Sequence, residues 1–408
     1  MSSFANFPKS VVQKLILNPA FKVCNFIDFK KCMSYPEYAH DEMTNWIKRN
    51  PDSKLAHSLF EMLSYKSNNL HYTRKNQYKD LEFDNPIIYA AGSNKYADGA
   101  NYFDKSFGWL MIGGITKEAR VWNGYKDVWW DLIRSDALRM TKDGKWSGLN
   151  GFWLNNLWAA ATAEKITQQK KNGLWTQKPI GINVAAGAGD MEKDYPNIVE
   201  TLYEHGDFFE LNFSCPNHQG LAEIHNNVEK IRATIKAVKK INVANKPIVV
   251  KFGILSNTPD DINTAQDLTY DSLKALIEMC IEELDENQDK INITNTAKEH
   301  TTYDQNKKLE WLQDIKGNTI AWWVSWKLIQ DRSLQTVQFV KKILDKNVSK
   351  LWIIGTGGIW CDEAWQTGKQ LIAMKDAWAE LFNMFTGFVY NPTSLANNLR
   401  ALDKNLRQ

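Results

Sequence analysis

The chain has 408 residues, enough for one large α/β barrel or two domains, and 43% of them are hydrophobic, ample for a real core. A formal net charge of only +3 supplies no basic footprint, so a nucleic-acid partner is not expected. Five cysteines, an odd number without CxxC or zinc spacing, read as free thiols in a reducing compartment.

The first twenty residues lack a long apolar run and a small-residue cleavage site, so no secretory signal is expected. No window reaches the roughly 20 apolar residues of a spanning helix. Residues 1–80 read as short helices: "VVQKLILN", then "PEYAHDEMTNWIKR", then "AHSLFEMLSYK". Pro36 stands near a helix start and Pro51 after a helix end, as proline prefers. Residues 66–79 are polar and read as loop, which sets a boundary near Asp80.

From there, apolar runs alternate with amphipathic segments. The runs are "NPIIYAAG", "GWLMIGG", "KPIGINV", "FFELNF", "KPIVVKF", "KINITNT", "LWIIGTGG" and "WAELFNMF". Their apolar residues are nearly continuous, as in strands covered on both faces. Between them, Leu273, Leu276, Cys280 and Ile281 share one helical face, and so do Val337, Val340, Ile343 and Leu344. Cys280 therefore reads as a small core residue. The 17 tryptophans, including the pairs Trp129-Trp130 and Trp322-Trp323, read as core or groove filling. Strands with helical crossovers predict an α/β fold, a (β/α)8 TIM barrel over 81–408 behind an N-terminal helical extension over 1–80. The rival, a doubly wound sheet, calls for GxGxxG after the first strand, and "YAAGSNK" does not supply it.

Barrel chemistry collects at the carboxyl ends of the strands. Those ends carry, in order, Gly92 to Lys95, then Gly113, Gly114 and Thr116, then Asn183. Next come Asn212, Ser214, Cys215 and Asn217, then Lys251, then Thr294, Asn295 and Thr296. The last two give Thr356, Gly357 and Gly358, then Phe382 and Asn383. Amides abound, whereas no cluster of His or carboxylates suggests a metal. Asparagine both donates and accepts, which suits a planar ligand with amide-like edges, such as a pyrimidine dione or a flavin. "GTGG" can turn backbone N–H groups toward a phosphate; by itself it is equally a tight loop. A lysine at the end of "PIVVKF" needs an anionic partner, a shifted pKa or a route to solvent.

Together these motifs resemble the dihydroorotate dehydrogenases, FMN-dependent barrel enzymes of pyrimidine synthesis, from about residue 30 onward. By that resemblance "NPIIYAAGSNK" places Ala91 and Gly92 on the flavin and Lys95 on the substrate carboxylate. "MIGGITKEARVW" resembles the second strand with Gly114 and the stretch after it, and "LNGFWLNN" puts Asn150 on orotate. Asn183 in "GIN", Lys251 and Thr294 would meet the flavin. "NFSCPN" supplies Asn212, the base Cys215 and Asn217; "ITNT" adds substrate-binding Asn295 and Thr296. "IIGTGGI" resembles the phosphate loop, with Gly357 and Gly358, and Asn383 stands at the eighth-strand end of the same site. The implied reaction removes a proton from C5 of dihydroorotate while a hydride leaves C6 for the flavin. Lys251 would stabilise the reduced ring. Cys215 needs local support for its thiolate, because a free thiol titrates near 8.5.

The branch is mixed. A cysteine base is typical of the soluble enzymes that use fumarate or NAD. The helical extension resembles the quinone-linked, membrane-associated enzymes, with His40 in "PEYAHDEM" and Arg120 in "ARVW" facing an acceptor tunnel. Quinone is favoured as acceptor, with a cytoplasmic location and a peripheral contact to the inner membrane through the N-terminal helices. Three departures stand out: Asn94 replaces an acid, "GNTIAWWVS" replaces a Gly-Leu-Ser-Gly flavin turn, and Phe382-Asn383 replaces Tyr-Thr. They keep open a degenerate barrel that binds a nucleotide or partner without turnover, and a flavin reductase for another pyrimidine.

Overall fold

A computed structural model describes residues 46–47, 49–119, 138–140, 147–150, 156–186, 190–214, 227–256, 268–295, 297–299, 322–326, 329–359, 368–385, 387–388 and 393–408. In chain order its strands are β1 (Tyr72–Arg74), β2 (Leu81–Phe83), β3 (Ile87–Tyr89), β4 (Trp109–Ile115), β5 (Leu138–Met140), β6 (Ser147–Asn150) and β7 (Ile180–Val184). There follow β8 (Phe208–Asn212), β9 (Ile248–Phe252), β10 (Lys290–Ile293), β11 (Ala297–Glu299), β12 (Trp322–Trp326), β13 (Trp352–Thr356) and β14 (Ala379–Met384). The helices are α1 (Lys54–Met62), α2 (Ala100–Phe103), α3 (Ala159–Lys171), α4 (Met191–Thr201), α5 (Val228–Ile241), α6 (Tyr270–Glu283), α7 (Gln330–Lys346), α8 (Lys369–Asp376) and α9 (Thr393–Leu406).

The strands β3, β4, β7, β8, β9, β10, β13 and β14 close in that order into a parallel barrel. These are the eight apolar runs of the sequence. Each is buried on both sides, outward against the helices and inward against the opposite strands, and so alternation is absent. The helices start where the sequence caps them: Asp190 accepts from Glu192 N, Asn227 from Lys230 N and Thr269 from Ser272 N. Their inner faces include Leu273, Leu276 and Cys280 of α6 and Val337, Val340, Ile343 and Leu344 of α7, all buried. Burial pushes the Cys280 thiol far up, which fits a core residue and not a nucleophile.

Inside the barrel the amino-terminal half is packed with side chains. Trp109 and Phe208, at the starts of β4 and β8, stack at 4.3 Å, and Phe83 meets Trp109 edge-on at 4.9 Å. Phe83 belongs to the antiparallel hairpin β1–β2, which closes this end of the barrel. Tyr72 stacks on Phe83 at 4.8 Å, and the Arg74 guanidinium lies 3.8 Å from the Trp352 ring centre. Residues 66–79 are therefore not all loop. The reason is local: Tyr72 pairs with Phe83 across the hairpin, and Leu81 and Phe83 alternate with exposed Glu82. Asp80 lies between the two strands.

A second sheet, β11–β12–β6–β5, is antiparallel throughout. Its strands belong to the connections that leave the carboxyl ends of β4 and β10, so it rises beside the mouth. Trp322 to Ser325, part of the "GNTIAWWVS" segment, lie in its strand β12, with Val324 opposite Leu149.

Candidate active site

The floor of the mouth is built from consecutive strands. In β8, Glu210 and Asn212 are two residues apart and share the inward face. Glu210 is 1% exposed, and its two oxygens accept from Asn183 of β7 and Asn292 of β10. The Lys251 ammonium, from β9, stands 3.9 Å from the same carboxylate, and its side chain is 11% exposed. This is the anionic partner that a lysine on an apolar strand requires.

Two arms extend from this centre. On one side Asn212 Nδ2 approaches Asn183 Oδ1 at 3.4 Å, and Asn212 Oδ1 accepts from the Ser214 hydroxyl at 2.9 Å. Asn295 Nδ2 donates to Ser214 Oγ and O, both at 3.0 Å, and the Tyr195 hydroxyl pins the Asn212 carbonyl at 2.7 Å. On the other side the Thr356 hydroxyl donates to Asn292 Oδ1 at 2.6 Å and accepts from Asn383 Nδ2 at 2.9 Å. Asn383 is buried, and its Oδ1 has no partner among the described residues.

The remaining expected residues stand around this network. Ala91 is buried within the inner packing, and Gly92 beside it is exposed, with Phe385 4.0 Å from an added Cβ. Lys95 is half-buried in the loop after β3. That loop is tied to β4, because the Asn94 carbonyl accepts from Gly113 N at 3.1 Å, one residue before Gly114. Thr294 is fully buried, and its hydroxyl is held by the Thr356 carbonyl at 3.0 Å. Asn156, in the "LNGFWLNN" stretch, donates to the Thr116 hydroxyl at 2.9 Å. Gly357 and Gly358 have φ +100 and +72, and an added Cβ on Gly358 would lie 2.7 Å from Gln330 Cα. Only glycine fits this turn, which packs on the start of α7. The Ile329 cap of that helix offers no side-chain acceptor to its first turn.

Cys215, Asn217, Thr296, His40 and Arg120 lie outside the described residues, as does the side chain of Asn150, whose backbone closes β6 opposite Trp323. Among the described residues no group of His, Cys, Asp and Glu could hold a metal.

Glu210 and Asn292 are the residues the sequence reading passed over. The signal for Glu210 was present: period two from Asn212 puts it inside, and Lys251 on the adjacent strand demanded an anion.

Residues 74–404 match the family model described as Dihydroorotate dehydrogenase. The chain belongs to the dihydroorotate dehydrogenase family. It is thus one of a family of oxidoreductases, in which flavin is the general cofactor. A relative from Trichodesmium erythraeum (strain IMS101), named dihydroorotate dehydrogenase (quinone), is 27% identical over 91% of this chain and 90% of its own. A relative of the same name from Haloarcula marismortui is 26% identical over 78% of this chain and 77% of its own. The Eimeria tenella dihydroorotate dehydrogenase solved with ferulenol superposes with a TM-score of 0.63 at 19% identity, over 91% of this chain and 92% of that one. That likeness extends to the fold.

The residues present fit a flavin. The buried Asn383 Oδ1, without a partner among the described residues, is an acceptor awaiting a donor. The glycine turn at Gly357 and Gly358 leaves backbone where a side chain cannot stand, as a phosphate cradle requires.

Proposed function

We propose that this dehydrogenase oxidises dihydroorotate to orotate with FMN and passes the electrons to a quinone. The observation that carries the reading is the buried Asn183–Glu210–Asn292 centre with Lys251 beside it, at the carboxyl ends of the strands. Bound FMN would supply the hydride acceptor. Cys215 takes the proton from C5 of the pyrimidine, and it follows Ser214 directly in the chain. Asn150, Asn212, Asn217, Asn295 and Thr296 hold the amide edges of the ring, and Lys95 meets the carboxylate. Ala91, Gly92, Gly114, Asn183, Thr294 and Asn383 would line the flavin, Gly357 and Gly358 would face its phosphate, and Lys251 would offset negative charge on the ring.

The part of the extension that precedes the hairpin, with His40 and Arg120, forms the acceptor side and meets the inner membrane from the cytoplasm. No described helix is long and apolar enough to cross a membrane. The names of the relatives support quinone. The cysteine in "NFSCPN" favours fumarate or NAD as the second reading.

An anaerobic half-reaction separates these outcomes. The purified protein should be yellow and bleach with dihydroorotate, and quinone should restore the colour faster than fumarate or NAD. Faster recovery with fumarate or NAD would move the chain to the soluble type, and a protein that takes up no FMN would leave a binding barrel without turnover. Cys215→Ser should slow bleaching at neutral pH by roughly 100-fold or more, the usual weight of a general base, with little change in orotate binding. Equal bleaching rates would remove Cys215 from the mechanism.

A further inference from the structure

Every side-chain donor in the two arms points the same way. On one arm Ser214 donates to Asn212, Asn212 to Asn183, and Asn183 to Glu210. On the other Asn383 donates to Thr356, Thr356 to Asn292, and Asn292 to Glu210. A carboxylate accepts only, and an amide has one donating and one accepting end. Once Asn183 and Asn292 commit their N–H groups to the buried anion, their oxygens must face away and receive the next donor. The order runs on to Asn383, whose Oδ1 is left buried and without a partner among the described residues. The same anion faces Lys251, the cation of the mouth, at 3.9 Å.

We propose that Glu210 is the positioning residue of this site. It sets which ends of Asn183, Asn292, Thr356 and Asn383 donate and accept, and it holds Lys251 by charge. The mouth then offers an acceptor at Asn383 and a cation at Lys251 to the flavin; in this the inference rests on the function proposed above. The carboxylate needs no contact with substrate to act in this way.

Glu210→Gln is the direct test. Glutamine carries one oxygen and one N–H2, so it cannot accept from both asparagines in the present geometry. One amide must turn, and the turn passes along its arm. The substitution also removes a negative charge from beside Lys251, which makes the site more hospitable to electrons. Glu210→Gln should therefore bind FMN at least tenfold more weakly, and its bound flavin should reduce at a more positive midpoint potential. Glu210→Asp, which keeps the charge, should return the potential toward wild type. A merely structural role would lower the melting temperature and leave the potential in place. Should Glu210→Gln fail to fold, Asn292→Leu keeps the anion and cuts the arm to Asn383. It should weaken FMN at least tenfold with the potential nearly unchanged. Wild-type FMN affinity and potential in Glu210→Gln, or wild-type affinity in Asn292→Leu, would overturn the proposal. If the wild-type protein itself takes up no FMN, the functional reading falls as well; if it does and the variants match it, only the role of Glu210 falls.

Discussion

Lys251 and Glu210 are a buried pair in which each member makes the other tolerable. Alone, a lysine on the inward face of β9 would have to neutralise itself or reach solvent. At 3.9 Å from a carboxylate that also accepts from two amides, it keeps a fixed place at the mouth. Removing the cation leaves the anion uncompensated, and such losses run to about 3–5 kcal/mol. Lys251→Met should therefore lower the unfolding free energy by about 3 kcal/mol, read as a drop in the urea midpoint. In the flavin-loaded protein it should also slow bleaching by dihydroorotate roughly 100-fold, the scale of losing one electrostatic stabiliser, and move the flavin potential negative, opposite to Glu210→Gln. A Lys251→Met protein with wild-type potential would mean that the ammonium does not sense the flavin.

Elements differ in how plainly their residues announce them. The barrel strands were legible because continuous Ile, Val and Leu runs such as "PIVVKF" have few alternatives once helices flank them. The hairpin and the antiparallel sheet were not. Their strands are three to five residues long, too short for a period to show, and Leu149 pairs with Val324 across a separation no local pattern reveals. The asparagines at strand ends could be read from position alone, whereas Glu210 sits two residues before the end of β8, where only the pairing with Lys251 on the next strand points to it. Long-range anchoring was equally hidden. Asp403 of α9, with a side chain 3% exposed, accepts from the Tyr65 hydroxyl at 2.6 Å, Ser67 Oγ at 2.8 Å, Asn69 Nδ2 at 2.8 Å and Arg407 Nη2 at 2.8 Å. Those bonds, Tyr65 foremost, hold its carboxyl far below the usual range. A depressed carboxylate stabilises above its unfolded pKa near 3.9 and loses that contribution as pH falls below it. Asp403→Asn should cost about 2–3 kcal/mol near neutrality, the scale of charge-assisted hydrogen bonds. The difference in urea midpoint from wild type should hold from pH 5 to 8 and shrink below pH 4; a difference undiminished at pH 2 would assign the effect to packing.

At the scale of the molecule the barrel has two ends with different work. The carboxyl end carries the amide network; the amino end is closed by packing and by an unusual set of buried charges. Lys290, at the start of β10, is fully buried, donates to the Gln288 carbonyl at 2.8 Å and lies 5.9 Å from the Trp352 ring centre. Burial, with the nearby Arg74 guanidinium adding to it, pushes Lys290 down from 10.5 to about 8, against the pull of Asp289 and Glu380. Glu380 is pushed up to about 7 by burial, against Arg74 and Lys290. A lysine whose folded pKa is lowered penalises the folded state at pH values below it. The unfolded chain holds the extra proton between about 8 and 10.5, so the penalty is relieved as pH rises through that window. At pH 7 a shift of this size opposes folding by about 3 kcal/mol. Lys290→Met keeps the length of the side chain and discards the charge, and Glu380, already poised near neutrality, takes a proton readily once its partner is gone. The variant should be more stable than wild type by about 3 kcal/mol at pH 7, and the gain should fall below about 1 kcal/mol at pH 10. Urea unfolding of both proteins at the two pH values reads it directly. Because this end of a barrel supports stability while the other supports chemistry, the flavin potential of Lys290→Met should stay at the wild-type value. A gain that does not change with pH would trace it to packing against Trp352 instead of to the buried charge.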